Sequence, residues 1–344
     1  MQLHTVWFVI IAIFWIGFFV LEGFDFGVGV LHTIVGKTDT ERRVALNTIG
    51  PWWDGNEVWL IVAGAGMFAA FPTWYATMFS ALYLALLIVL AALMARGVAM
   101  EFKGKGDGVR WRRTWMWCTT LGSLLIPLLL GVGLGDLLHG LPINSSHDFT
   151  GNFFDLLTGY GLWTGVTLLS LCLLHGSTFL KLRTTDAVRE RSRAVAGPVG
   201  WAAIALVVGW VIWTRKVAGG PDVPQPCEVL AVIAVIFAAR LAGSDHDGWA
   251  FSASAVAIAA VVGSIFIGLY PHVMVSSTNA AYDLTVNNAA SGSYALKVMT
   301  VAAVIFFPIV LIYQGWSFHV FRGRVKAPPA QADSAPTTTP AAQT

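Results

Sequence analysis

Apolar positions along this chain gather into runs of about 20 residues, the length a helix needs to cross a bilayer, and short polar stretches separate them. Strands of an open sheet would leave backbone groups unpaired in lipid, so runs of this length predict helices. The pattern predicts about nine spans. They are Val6 to Val35, Pro51 to Phe71, Trp74 to Ala95, Thr114 to Leu138, Leu156 to Leu180, Val199 to Trp213, Glu228 to Leu241, Trp249 to Leu269 and Tyr294 to Phe318. The first is too long to cross upright at 1.5 Å per residue, so a tilt, or a bend at Gly23, Gly27 and Gly29, is expected. A tight Pro72-Thr73 turn joins the second span to the third.

Charge falls on alternate connections. Lys and Arg crowd residues 36–50, 96–113, 181–197, 240–248 and the stretch after the last span, whereas 139–155 and 271–291 carry none. Positive loops stay cytoplasmic, which puts the N-terminus outside and the C-terminus inside. Arg215 and Lys216 break the alternation, lying on the outer side beyond the sixth span. Met1 to Thr5 has no basic region of the kind that opens a secretory signal, so the first span reads as an anchor. Residues 1–326 form the transmembrane helical domain. Residues 327–344 are mostly Pro, Ala, Thr and Gln and read as a disordered cytoplasmic tail.

Composition excludes a soluble fold: 56% of residues are hydrophobic and 12% charged, about half the charge of an ordinary globular domain. The chain is an all-α polytopic membrane protein. A formal net charge of +2, held in short loops, gives no footing for nucleic acid. Cys118, Cys172 and Cys227 are odd in number and scattered, which fits neither a disulfide framework nor a CxxC metal site; they read as buried, inert thiols. No Walker A loop, HExxH or dinucleotide fingerprint is present in its proper context.

The candidate chemistry lies in four acids within two consecutive spans. Asp54 and Glu57 open the second span, three residues apart and so on one helical face. Glu22 and Asp25 interrupt the first. Two readings stand for the second pair: acids at a helix N-terminus, favoured by the macrodipole, or functional carboxyls, since ionisable groups at bilayer depth are rare and mark proton or ion paths. Pro51 is read as the first turn of that helix. The predicted topology brings both pairs to the same inner depth. Trp53 adjoins Asp54 and reads as its shield from lipid, whereas Trp74, Trp115, Trp163, Trp249 and Trp316 fall at span ends as interfacial aromatics. Arg96 is read either as a snorkelling residue of the basic loop or as counter-ion to a nearby acid. The eight histidines offer no pair at matching depth for bis-His haem ligation, and read as loop or interface residues. No metal site is expected.

Several stretches carry a family resemblance over the chain as far as about Arg324. They are Glu22-Gly23-Phe24-Asp25-Phe26-Gly27-Val28-Gly29, Asp39-Thr40-Glu41-Arg42-Arg43, Trp53-Asp54-Gly55-Asn56-Glu57-Val58-Trp59-Leu60, Met274-Val275-Ser276-Ser277-Thr278 and Lys297-Val298-Met299-Thr300. They resemble subunit II of bacterial cytochrome bd quinol oxidases. The resemblance implies two four-helix bundles plus one peripheral helix, in the bacterial plasma membrane. It implies a partner, subunit I, that carries haem b and haem d, oxidises quinol and reduces dioxygen to water with protons from the cytoplasm. Subunit II ligates no haem, supports that partner, and can hold a structural quinone; a small accessory subunit also belongs to some such complexes. Asp54 matches the family's carboxylate on a proton path, and Asp25, Trp53 and Arg96 match positions near it. Glu22 stands where Asp is common and keeps a proton-capable group, while Glu57 stands where many members carry Gln. The expected path is therefore Asp54, Asp25, Glu22 and Glu57, supported by Trp53 and Arg96. Two other classes compete: a proton-coupled transporter, which calls for inverted repeats around a midplane site, and a purely structural subunit in which Asp54 and Asp25 are packing residues.

Overall fold

The computed structural model describes residues 2–106, 108–219 and 223–326, and helices dominate it. The tail expected to be disordered, 327–344, lies outside the described residues. Seven helices are long and apolar enough to cross a membrane: α1 (Leu3–Val35), α5 (Tyr83–Phe102), α6 (Val109–His139), α7 (Gly159–Arg183), α8 (Asp186–Val217), α10 (Asp247–Leu269) and α11 (Ser293–Val320). The short α2 (Asp39–Asn47), α3 (Trp53–Ala70), α4 (Pro72–Ala81) and α9 (Pro226–Ala242) complete the helical set. Two spans expected from the apolar pattern, α3 and α9, stand outside the seven: α9 has 17 residues, and α3 has 18 with Asp54 and Glu57 near its start.

Several expected boundaries move. The third span is two helices, α4 and α5, meeting at Leu82, with Pro72 in the first turn of α4, where a missing N–H is harmless. Pro51 is not in the first turn of α3. It sits in the preceding turn, where Trp52 and Trp53 both donate to the Ile49 carbonyl, at 3.0 and 3.1 Å. The basic stretch 181–197 is not a loop but largely the first turns of α8, since Arg, Ala and Glu are good helix formers and nothing after Asp186 stops the helix. The basic loop after α1 contains α2, started by a capping box in which the Thr38 hydroxyl accepts from the Glu41 amide while Glu41 accepts from the Thr38 amide.

The glycines of α1 do not interrupt it: α1 is one continuous helix of 33 residues. They allow contact instead. A Cβ on Gly27 would lie 2.1 Å from the Cys172 carbonyl oxygen and 2.7 Å from Gly176 Cα, so the backbones of α1 and α7 touch there. α1 packs on α3, α6, α7 and α10, while α7, α8, α9 and α10 each pack on the next and α10 returns to α7. Large apolar side chains such as Phe18, Phe19 and Trp210 fill the space between. Trp74 is buried in this core rather than interfacial, packed beside Phe8 and Phe71.

The connections cluster at two ends. The Lys/Arg-free segments knit together: Leu141 donates to the Val275 carbonyl at 3.0 Å and Thr278 to the Ile143 carbonyl at 2.5 Å. Within the second of them a small antiparallel pair, β1 (His272–Met274) and β2 (Leu284–Thr285), is flanked by a His272–Asp283 contact of 3.3 Å. The basic segments tie one another together elsewhere. Arg191 of α8 grips Glu41 of α2 with two bonds of 2.8 and 3.1 Å, and Asp247 receives Arg189 at 2.8 Å and Arg324 at 3.0 Å. Arg215, the exception to the charge alternation, is buried and paired with Glu228 at 2.5 Å, so it acts as a neutralised internal group rather than a free loop charge.

α11 buries only Leu296 and Ser317; Phe307 packs against Phe14 and Trp59, Phe318 stacks on Trp52, and hydrogen bonds hold it along its length and beyond its end. Near its start, Trp7 donates to the Leu296 carbonyl (3.3 Å) and to Thr300 (3.0 Å). In its second half Gln314 reaches α3, and beyond its end the Val325 amide donates to the Arg183 carbonyl at 2.7 Å.

Candidate functional site

One acid of the first span and one acid of the second converge on a single cation. Arg96, one turn and a half from the end of α5, is fully buried. Its guanidinium donates from Nη1 to Glu22 of α1 and, at 2.7 Å, to Glu57 of α3. The same guanidinium lies over the Phe26 ring, 5.1 Å from the centroid, a cation–π contact that adds an attractive face to a desolvated charge. The snorkelling reading of Arg96 is thereby set aside in favour of the counter-ion reading. Both carboxyls are served by Nη1 alone, and among the described residues Nε and Nη2 have no hydrogen-bond partner.

Asp25, one turn along α1 from Glu22, is also fully buried and accepts from Asn56 Nδ2 at 2.7 Å. That amide also donates to the Leu21 carbonyl at 3.1 Å, and its Oδ1 accepts from Gln314 of α11 at 2.9 Å. Four helices thus meet at two neighbouring polar clusters that share no direct hydrogen bond: Glu22 of α1, Glu57 of α3 and Arg96 of α5 form one, and Asp25 of α1, Asn56 of α3 and Gln314 of α11 form the other. Three carboxyls and one guanidinium stand in this region, leaving an excess of proton-binding groups in a site largely closed to solvent. Among the described residues Glu22 Oε2, Asp25 Oδ1 and two Arg96 nitrogens are buried with no hydrogen-bond partner, the kind of atoms that buried water serves in folded proteins.

The network does not include Asp54. Although three residues from Glu57, Asp54 lies on the exposed side of α3, with Gly55 and Val58, whereas Asn56 and Trp59 face inward. Trp53 does not wrap Asp54; its ring lies beside Gly97 of α5, where an added Cβ would be 3.5 Å away. Asn56 and Gln314 escaped the sequence reading as participants. Their signal was present: amides inside apolar spans need hydrogen-bond partners, and both lie within such spans.

The histidines are not all at loops or interfaces. His175 is fully buried in α7, with Nδ1 2.7 Å from Ser254 Oγ, Nε2 3.1 Å from the Val20 carbonyl, and its ring stacked 4.4 Å from Phe251. Both nitrogens are taken, so this histidine does not fit haem ligation. Among the described residues no group of three or more His, Cys, Asp or Glu side chains is placed to hold a metal ion. The three cysteines are free, Cys172 buried and Cys118 and Cys227 half-buried.

An all-helical, multi-pass membrane protein with a buried carboxylate–arginine network is the class these features define. The sequence profile of the family described as cytochrome bd terminal oxidase subunit II matches residues 3–321. The chain is 45% identical over 328 residues to the cytochrome bd ubiquinol oxidase subunit 2 of Bacillus subtilis, covering 94% of this chain and 97% of that one. It is 35% identical over 360 residues to the cytochrome bd-I ubiquinol oxidase subunit 2 of Escherichia coli K12, with coverages of 94% and 95%. The fold matches a chain in the structure of bd oxidase from Geobacillus thermodenitrificans with a TM-score of 0.75 at 18% identity, covering 93% of this chain and 99% of that one. The chain belongs to the cytochrome bd terminal oxidase subunit II family, and is a multi-pass membrane subunit of a bacterial respiratory oxidoreductase complex.

Proposed function

We propose that this chain is the non-haem subunit of a quinol:dioxygen oxidoreductase, that it supports a haem-bearing subunit I, and that it carries protons from the cytoplasm towards the site where dioxygen becomes water. The observation that carries the reading is the convergence of Glu22, Glu57 and Arg96, with Asp25, Asn56 and Gln314 in a second cluster one helical turn away that reaches the most exposed helix. An excess of carboxyls over cations supplies groups at which a proton can rest, and the unpartnered Glu22 Oε2 and Asp25 Oδ1 are where water would bridge the two clusters. Asp54 stands at the start of α3, one turn before Glu57, where it can collect protons at the cytoplasmic surface and pass them inward. Haem b and haem d belong to subunit I in this reading, and a structural quinone, a small accessory subunit and lipids complete the assembly.

The proposed topology has nine crossings, α3, α4 with α5, and α9 included, in two four-helix groups with α11 at the periphery. The N-terminus is outside and the C-terminus cytoplasmic. The contacts that gather the basic segments, and the neutralisation of Arg215 by Glu228, support it. Family membership sets the transporter reading aside. A structural reading keeps one specific observation in its favour: Asp25 and Glu22 are wholly buried and hydrogen-bonded between helices, as packing residues also are.

Asp54→Asn decides between them. The proton reading expects an assembled complex with normal haem content and at least tenfold slower oxidase turnover, because one positioned proton-transfer group contributes about 10²–10⁴-fold in general. Normal turnover in the assembled complex would refute the proton role of Asp54, and loss of assembly would favour the structural one.

A further inference from the structure

Apart from the buried network, a second charged feature lies where α2, the end of α5 and the start of α6 come together. A cleft of about 570 Å³ opens there, and Arg42, Arg43, Lys103, Arg112 and Arg113 all line it. Asp39 satisfies two of these cations, Arg42 at 3.2 Å and Arg112 at 3.4 Å. Among the described residues Arg43, Lys103 and Arg113 have no carboxylate partner. Lys103 is the most telling: its Nζ is buried and has no hydrogen-bond partner among the described residues. Burial, the larger influence, pushes its ammonium down to about 8; Asp39 opposes this, and Arg43 and Arg42 add to it. A buried, unpartnered ammonium among other cations is an arrangement that an anion would complete.

Glu101 and Asn47 also line the cleft, and the rest of its wall is largely apolar, with Leu46, Trp53, Met100, Val109 and Met116. Cations at the end of membrane helices, beside an apolar wall, match a molecule with a phosphate at one end and acyl chains at the other.

We propose that this cleft is a binding site for a phosphate-bearing anion, and that an anionic phospholipid fills it with its headgroup between Arg43, Lys103 and Arg113 and its chains against Trp53, Met100 and Met116. A zwitterionic headgroup carries its own ammonium and gains little there. A free phosphate shares the headgroup chemistry but leaves the Trp53, Met100 and Met116 wall uncovered. The site stands outside the proton network, and it does not depend on the route assigned to Asp54.

The test uses the purified complex of this chain with its partner. It compares wild type, Arg43→Gln/Lys103→Gln/Arg113→Gln, and a control of equal charge change outside the cleft, Lys37→Gln/Lys105→Gln/Arg110→Gln. Each is exchanged into nanodiscs of phosphatidylcholine with or without phosphatidylglycerol, and retained lipid is counted by native mass spectrometry. A basic residue near a membrane surface contributes about fivefold in affinity for anionic lipid, so the triple cleft variant should lose on the order of a hundredfold. The expected result is phosphatidylglycerol retained by wild type and control, and not by the cleft variant. In parallel, inorganic phosphate is titrated against thermal unfolding of delipidated complex. Stabilisation of wild type but not of the cleft variant by phosphate, with no difference in retained lipid, would keep the anion site and assign it to a soluble ligand. Equal behaviour of all three proteins towards both probes would overturn the proposal. If the triple variant fails to assemble, Lys103→Gln alone, with an expected loss of about fivefold, decides it by the same comparison.

Discussion

Removing Arg96 is the sharpest test of the buried network. At the 2.7 Å separation from Glu57, a unit charge pair attracts by about 6 kcal/mol at an effective dielectric constant of 20, and Glu22, wholly buried, is bound by the same nitrogen. That attraction is largely offset by the desolvation of all three groups, so the net worth of the intact cluster is small. Breaking it is different. Arg96→Gln leaves two carboxyls without their cation, and removing one partner of a buried pair costs about 3–5 kcal/mol. Glu22→Gln leaves Arg96 still paired with Glu57, so its expected loss is smaller, about 1–3 kcal/mol, the range for one unmade buried bond. The double variant Glu22→Gln/Arg96→Gln removes a charge of each sign and should recover part of the Arg96→Gln loss. The assay is thermal unfolding of the detergent-solubilised complex, with the amount of assembled complex per cell as a second reading. Against a typical total of about 5–15 kcal/mol, the Arg96→Gln loss should be plain in both. If Arg96→Gln unfolds like wild type, or if the double variant is worse than the sum of the singles, Arg96 is not the shared counter-ion described here.

Two further outcomes follow from packing and from titration. Gly27→Ala places a methyl 2.1 Å from the Cys172 carbonyl oxygen, so α1 and α7 must separate. A loss of about 1–3 kcal/mol or more is expected, read as a lower unfolding temperature, and an unchanged value would mean that the helices do not touch there. Glu41 is held down from 4.5 to about 2, first by its bonds to Arg191, against the opposing effect of burial, and then by the backbone amides of Thr38 and Lys37. A carboxyl lowered on folding contributes stability above its unfolded pKa and loses it as pH falls through the folded value. The α2–α8 tie should therefore be complete at neutral pH and weaken between about pH 4.5 and 2, seen as faster amide exchange in α2. Glu41→Gln should remove that acid dependence; an α2 whose exchange ignores both pH and the substitution would show that the tie does not hold the helix.

Much of the fold could be read in the sequence because lipid makes the apolar run a strong signal. The seven longest helices sit within a few residues of the expected spans, α5 and α8 excepted. What failed did so for local reasons. The break at Leu82 has no glycine or proline at the break itself, and the helical start of α8 was hidden because its charged residues resemble a loop. α2 was missed although Thr38 and Glu41 carry the capping-box signature. At the site, the predicted topology set Glu22 and Asp25 at the same depth as Asp54 and Glu57, and Arg96 links Glu22 with Glu57. Which side of α3 faces inward was not legible, and the helix turns Asn56 to Asp25 while leaving Asp54 exposed. Gln314 could not be paired from sequence, since no local pattern says which distant amide an isolated amide will meet.

The shallow burial of α11 bears on how the protein is made. α11 is synthesised after α1, α3 and α5, and it brings the Gln314 amide that serves Asn56 and the segment whose Val325 amide donates to the Arg183 carbonyl. Until it arrives, the Asn56 side-chain carbonyl lacks this partner. α11 therefore docks onto helices already made and closes the polar centre from its outer side.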